Sequence, residues 1–215
     1  MHIWGVTEMP HADQVRSHAR WRPGWTSGRT SYAWLLGLAD QPGLRRLVNE
    51  YQYALRDLPG FDLVPLEWMH ILVQEAGFTD EVGDADLDRM VTAVGDRLAG
   101  SSPLTLAFHH AVVLPESLAL PAEPQSSLHE LRADVRGALT EVLGEEAVPA
   151  EPEDTDRHVS LAHSTTEGPA IFAVATLGAT AVEPTTAKVG SLSLVRLSRD
   201  HSNSEWEVIT DVSFG

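Results

Sequence analysis

An α+β fold is expected of these 215 residues on three observations. Three stretches carry an apolar stripe at the helical period of 3.6, about eight short apolar runs are bounded by Gly, Pro, Ser, Asn and Asp, and a composition of 43% hydrophobic and 21% charged residues supports a real core. The length suits one domain or two small lobes. Residues 1–30, with Trp21, Arg22, Pro23, Gly24, Trp25 and Gly28, sustain neither period and read as an irregular arm ahead of a single domain over 31–215. Residues 31–38 are short, apolar and partly aromatic, a buried strand closed by the turn residues Asp40-Gln41-Pro42-Gly43. Leu44, Leu47, Val48, Tyr51 and Leu55 then form one helical stripe that ends near Pro59-Gly60, and residues 61–73 read as extended. A second helix presents Leu87, Met90, Val91, Val94 and Leu98, between the capping candidate Asp84 and Gly100. Residues 104–113 and a segment around 117–120 are further strands. The third helix shows Leu128, Leu131, Val135, Leu139 and Val142 behind a Ser126/Ser127 cap, and the acidic, Pro-bearing stretch 145–156 reads as a loop. Residues 158–163, 171–177, 187–196 and 206–213 complete the expected strands.

Charge narrows the function. With 15 Lys+Arg against 31 Asp+Glu the formal charge is -16, so the mean surface field repels phosphate backbones and anionic lipid heads. That argues against long nucleic acid or a membrane as partner and leaves a small molecule, a nucleotide or cyclic phosphate, held in a local cleft. The absence of cysteine excludes disulfides, a thiol nucleophile and Cys-ligated metals. The opening Met-His-Ile-Trp-Gly-Val lacks a basic region followed by a long apolar one, so a cytoplasmic protein is expected.

Two short strands share a chemical pattern, Met69-His70-Ile71-Leu72-Val73 and Arg157-His158-Val159-Ser160-Leu161. Side chains alternate along a strand, so His70 with Leu72, and His158 with Ser160, point the same way at a spacing of ~7 Å. The distance between the two motifs in the chain is consistent with two similar lobes.

On these residues the chain resembles the two-histidine phosphoesterase superfamily, which includes 2′-5′ RNA ligase-like proteins and 2′,3′-cyclic phosphodiesterases. The resemblance runs from Tyr32-Ala33-Trp34 through Leu66-Glu67-Trp68-Met69-His70 and His158-Val159-Ser160-Leu161-Ala162 to residues 191–197 and 206–208. It implies a two-lobed fold with a pseudo-two-fold arrangement of antiparallel sheets, flanked by helices, around a central groove. It also implies metal-independent, cofactor-free hydrolysis of a small cyclic phosphodiester or related phosphoester, with His70 and His158 as general acid and base. One imidazole takes a proton from water while the other gives one to the leaving oxygen, and a pKa near ~6.5 suits either role. Ser160 would donate to a non-bridging phosphate oxygen, and Trp68 and Leu72 would line the substrate. Leu72 stands where the pattern has Thr or Ser; a lost donor of this kind is worth ~2.7–4 kcal/mol, or 10²–10³ in rate. The same two histidines on a non-phosphorylated metabolite, catalysing cyclisation, dehydration or isomerisation, form the alternative class, and a catalytically dead binding module is a third.

The other titratable residues are assigned to structure. Arg157 should face away from His158 and pair with Asp154 or Asp156, with a phosphate contact as the alternative. His109 and His110 point to opposite sides of a strand, and no histidine spacing matches a zinc motif. His163, five residues after His158, should lie on the other face of its strand. The Trp21 to Trp25 stretch is read as packing, with a cover over the groove as the alternative.

Overall fold

The described residues, 10–18, 24–150, 155–199 and 205–215 of a computed structural model, form twelve strands and four α-helices. In chain order these are β1 (Gln14–Val15), β2 (Thr30–Gly37), α1 (Pro42–Leu55), β3 (Phe61–Leu63), β4 (His70–Phe78), α2 (Asp84–Leu98), β5 (Leu104–Phe108), β6 (Val112–Val113), β7 (Ser117–Pro121), α3 (Gln125–Leu143), β8 (His158–Ser164), β9 (Gly168–Pro169), α4 (Ile171–Ala179), β10 (Thr185–Val189), β11 (Ser191–Ser198) and β12 (Glu205–Ser213). Two four-stranded antiparallel sheets dominate, ordered β12-β11-β2-β4 and β3-β8-β7-β6, with two-stranded ladders β10-β5 and β1-β9 beside them. The two strands that carry the histidine motifs, β4 and β8, belong to different sheets and touch each other. This is the expected two-lobed α+β architecture.

The helices form where their apolar stripes find cover. Leu44, Leu47, Val48, Tyr51 and Leu55 of α1 are all buried, and Pro42 opens the helix at a position whose missing N–H has no intrahelical acceptor. α1 packs on β10, α4 and β8, while α2 and α3 pack on each other and α3 on β4. The main core gathers Trp34, Tyr51, Phe108, Leu36, Leu44 and Met90 with their neighbours. Each such side chain contributes roughly 1.5–3 kcal/mol when withdrawn from water. The Tyr51 hydroxyl is not left stranded in this core, because it accepts the Ala111 N–H at 3.1 Å.

Several elements differ from the sequence expectation for identifiable reasons. Residues 171–177 form a helix, α4, rather than a strand. Ala173 and Leu177, four apart, are its buried pair, and a short apolar run without polar alternation reads equally well at either period. The extended stretch 61–73 is interrupted by a 3₁₀ turn at Leu66–Trp68, just after Pro65. Residues 104–113 split at His109-His110 into β5 and β6, and residues 187–196 split at Gly190 into β10 and β11, because each half joins a different ladder. Gly83 and Pro124, not Asp84 or Ser126/Ser127, sit at the helix caps. Asp84 and Asp86 instead place negative charge in the first turn of α2, where the helix dipole favours it. The turn Asp40 to Gly43 runs directly into α1. Within the arm, Gln14–Val15 pairs with Gly168–Pro169. Trp25 is buried edge-on against Phe78, and Trp21 lies outside the described residues.

Candidate active site

The two motif strands bend in the same way. Along β4, Leu72 pairs with Leu35 and Gln74 with Trp34, which leaves Val73 as an extra residue; along β8, Ser160 pairs with Ala119 and Ala162 with Leu118, which leaves Leu161 extra. In both strands the bulged residue stands three positions after the histidine. A bulge breaks strict alternation, so the side chains at the histidine, at two residues on and at five residues on share one face. On β4 these are His70, Leu72 and Glu75; on β8 they are His158, Ser160 and His163. The residues between them, Ile71, Val73, Val159, Leu161 and Ala162, enter the core. The Leu161 carbonyl exposed by the second bulge is not wasted, because it accepts the Val64 N–H at 3.0 Å and the Gln52 Nε2 amide at 3.0 Å.

His163 is therefore corrected. It faces the groove, since the bulge at Leu161 shifts the period by one. Val64, Trp68, His70, Ser160 and His163 together line a small cavity of about 10 Å³, close to the room one water needs. His70, Ser160 and Trp68 are thus brought together as expected. His158 lies on the same face of β8 as Ser160 but is not among the residues that line this cavity. Arg157 lies buried on the opposite face, its backbone bonded both ways to the Gln125 side chain at 2.8 Å. Asp156 stands 4.0 Å from His129, and Asp154 lies outside the described residues. His109 is 3.6 Å from Glu123 and His110 is exposed.

Each candidate catalytic ring is held by the same local device. His70 Nδ1 donates to the Trp68 carbonyl at 2.8 Å and His158 Nδ1 to the Asp156 carbonyl at 3.3 Å. A carbonyl can only accept, so Nδ1 carries the hydrogen and Nε2 is left as the working nitrogen of both rings. Burial pushes both pKa values below the ordinary 6.5. The carbonyl bonds oppose this shift, and Arg199 adds to it at His70 while Arg157 and His70 add to it at His158. The site thus holds two neutral imidazoles, one of which must gain a proton to serve as acid.

Leu72 sits in an apolar patch. It packs with Trp206 against Ala33, Leu35 and Val195, all three fully buried. Trp206 also meets Trp68 edge-on at 5.4 Å and His70 at 6.3 Å between ring centroids. A cation stands nearby in Arg199, 3.1 Å from Glu75 and stacked 4.9 Å over the Trp25 ring. Sequence reasoning missed Trp206, Arg199 and His163. For Trp206 and Arg199 the only signal was position in the closing strands. For His163 the signal was hidden by the bulge. Among the described residues no group of three or more His, Asp or Glu side chains is arranged to hold a metal ion, and no helix is long and apolar enough to cross a membrane. A much roomier cleft of about 1,040 Å³ lies between α1 and α4; its walls include Tyr53, Phe61, Ile171 and Phe172 with the carboxylates Glu50 and Glu167, and no histidine is among the described residues that line it.

Two antiparallel sheets that each present a bulged histidine strand to a shared groove define a protein of the two-histidine phosphoesterase class. Residues 40–201 match the family described as the 2'-5' RNA ligase superfamily, and the chain belongs to it. Membership supports phosphoester processing by a phosphoesterase- or ligase-type enzyme. No curated protein matches the sequence significantly. Among solved structures, TT0787 of Thermus thermophilus is 20% identical, with 86% of this chain and 97% of that one covered and a TM-score of 0.66. E. coli LigT complexed with 3'-AMP is 12% identical, with coverage of 86% and 98% and a TM-score of 0.64. The Agrobacterium tumefaciens protein ATU0111 is 14% identical, with coverage of 87% and 86% and a TM-score of 0.56. At these identities the likeness is one of fold.

Proposed function

We propose that this chain hydrolyses a small cyclic phosphodiester or a closely related phosphoester without a metal ion, using His70 and His158 as the acid–base pair. The observation that carries the reading is the repeated device on β4 and β8. Each histidine is anchored through Nδ1 to the carbonyl two residues before it, and each bulge lies three residues after it. The unprotonated Nε2 of one ring accepts a proton from water as the oxygen attacks phosphorus. The other ring, protonated, donates to the leaving oxygen, so the pair exchanges states in one turnover. Ser160 donates to a non-bridging oxygen as negative charge develops there, and Trp68 with Trp206 forms an aromatic wall for a base or other ring. LigT has been crystallised with ATP, 3'-AMP and NADP+, which supports a nucleotide-sized occupant here. Turnover of 2′,3′-cyclic AMP in excess EDTA tests the reading; it predicts activity that His70→Ala and His158→Ala each abolish.

The apolar setting of Leu72 favours a second reading in one respect. Leu72 and Trp206, backed by the fully buried Ala33, Leu35 and Val195, give this side of the site an apolar surface that suits an uncharged metabolite, on which the same two histidines would perform a cyclisation, dehydration or isomerisation. Activity on a non-phosphorylated compound together with inertness toward cyclic phosphates would select it.

A further inference from the structure

His163 sits in the groove, yet the acid–base scheme gives it no task. It lines the cavity with His70 and Ser160, and its Nδ1 is buried without a hydrogen-bond partner among the described residues. A buried polar atom left unpaired is costly, and the usual reasons are a missing ligand or water. The other face of its ring is covered by His18, with ring centroids 4.0 Å apart and planes within 10° of parallel.

His18 comes from outside the family match, which begins at residue 40. Its place is set by several bonds. Its backbone N–H donates to the Ser164 carbonyl at 2.8 Å, and its Nδ1 lies 3.5 Å from Glu116 Oε2. Glu116 is in turn held by Arg16 Nε at 2.9 Å, while the Arg16 backbone N–H donates to the Pro115 carbonyl at 2.7 Å. The segment Arg16 to His18 is thus stitched along the β7–β8 side of the second sheet, where its terminal ring shuts one side of His163 off from water.

We infer that His163 is a third histidine of the groove that hydrogen-bonds the substrate through a neutral imidazole, and that His18 is the positioning residue that holds it there. The inference rests on the phosphoester reading above. A neutral imidazole offers one donor and one acceptor. It can therefore serve a phosphate oxygen or a substrate hydroxyl without competing for the proton that His70 and His158 exchange. The charged and titratable groups around it are consistent with that state. Burial lowers its pKa first, and the fields of His18, His70, His158 and Arg199 lower it further, to about 3. Two carboxylates stand near this side: Glu116, directed at His18 and Arg16, and Asp62, directly opposite His163 in the β3–β8 ladder. On β8 the groove then presents three polar side chains, His158, Ser160 and His163, and this row offsets the donor that Leu72 lacks on β4.

The test has two readouts on the full chain. In histidine NMR, with His163 assigned by comparison with His163→Gln, the wild-type ring should stay neutral throughout the pH range in which the fold survives. In His18→Ala its midpoint should climb by more than one pH unit toward the ordinary 6.5, and in His18→Phe, which retains a stacking ring, it should stay low. With 2′,3′-cyclic AMP as substrate, His163→Phe should raise KM about tenfold with a smaller change in kcat, as expected for one lost hydrogen bond. His18→Ala should follow it in direction, and His18→Phe should return KM to within about twofold of wild type. A His163 midpoint indifferent to His18→Ala overturns the positioning role, and unchanged KM and kcat in a folded His163→Phe overturn the substrate contact. Failure of the phosphoester reading looks different: the wild type then turns over no cyclic nucleotide although His163 stays neutral and stacked, and the substrate contact falls with it.

Discussion

Strands β4 and β8 are built on one plan and furnished differently. Both place a histidine, a second side chain two residues on and a third five residues on along the same groove, through a bulge at the same offset. On β8 the second and third positions are Ser160 and His163, hydrogen-bonding groups that share a cavity with His70. On β4 they are Leu72, packed into an apolar patch, and Glu75, tied to Arg199. Under the proposed function, the shared plan preserves an acid–base pair, whereas phosphate binding would be concentrated on one strand. A groove of this kind should tolerate changes on the two sides unequally, and that asymmetry can be broken or sharpened by mutation.

The histidines should be the most sensitive and the most alike. His70→Ala and His158→Ala are each expected to lower kcat/KM on a cyclic phosphodiester by 10²–10⁴, the range of a positioned general acid or base, measured under the same buffer with folding checked by circular dichroism. A large effect from one histidine only would dissolve the equivalence of the two strands. Next comes the contrast at the second position. Ser160→Ala should cost about 10²–10³ in kcat, as for a single oxyanion donor, while Leu72→Ala should change the rate on a phosphoester by less than about tenfold. Comparable losses from both would mean that the strands share substrate binding evenly.

Restoring the missing hydroxyl makes the comparison sharper. Leu72→Thr should raise kcat on a cyclic phosphodiester, because a donor aimed at developing charge helps most in the transition state. It also replaces two carbons with one hydroxyl oxygen in the packing with Ala33, Leu35, Val195 and Trp206, so a stability loss of about 1–3 kcal/mol is expected from a melting curve. A folded variant no faster than the parent would count against a phosphate at that position.

The smallest predicted effect is in pH. His70 and His158 both have lowered pKa values, so the base stays unprotonated further into acid and the acid loses its proton earlier as pH rises. The bell-shaped profile of kcat/KM should accordingly peak below the ordinary histidine value of ~6.5, its two limbs belonging to the coupled pair. Stability carries the same sign. A ring whose folded pKa is depressed, most of all His163 at about 3, leaves the folded state short of a proton that the unfolded chain binds below ~6.5. The melting temperature should fall as pH drops from 7 through 4, and His163→Gln should flatten that slope.

How much of this could be read from the chain depended on whether the cause was local. The placement of His70 and His158 at the head of two matching strands was legible, because a histidine in a strand followed two residues later by a side chain on the same face is a pattern complete within five positions. The stripes of α1, α2 and α3 were legible for the same reason, since each buries its own face. Bulges are different: Leu161 is extra only because Ser160 and Ala162 pair with Ala119 and Leu118, a register set by another strand. Strict alternation therefore put His163 on the wrong face. The helix α4 was hidden because its apolar residues suit either period, and only the buried pair Ala173 and Leu177 decides it. Trp206 and Arg199 reach the groove from the closing strands across the sheet, and nothing in their immediate neighbours announces that reach.

One double-mutant comparison bears most directly on the claim that β4 and β8 make a single acid–base site. Single-turnover rates on 2′,3′-cyclic AMP, in EDTA, would be measured for wild type, His70→Ala, His158→Ala and the double variant. Groups that act as a unit are not additive, so the double variant should be little slower than either single one, with all three reduced by 10² or more. Losses that multiply, or a single variant that keeps most of the wild-type rate, would contradict a shared site.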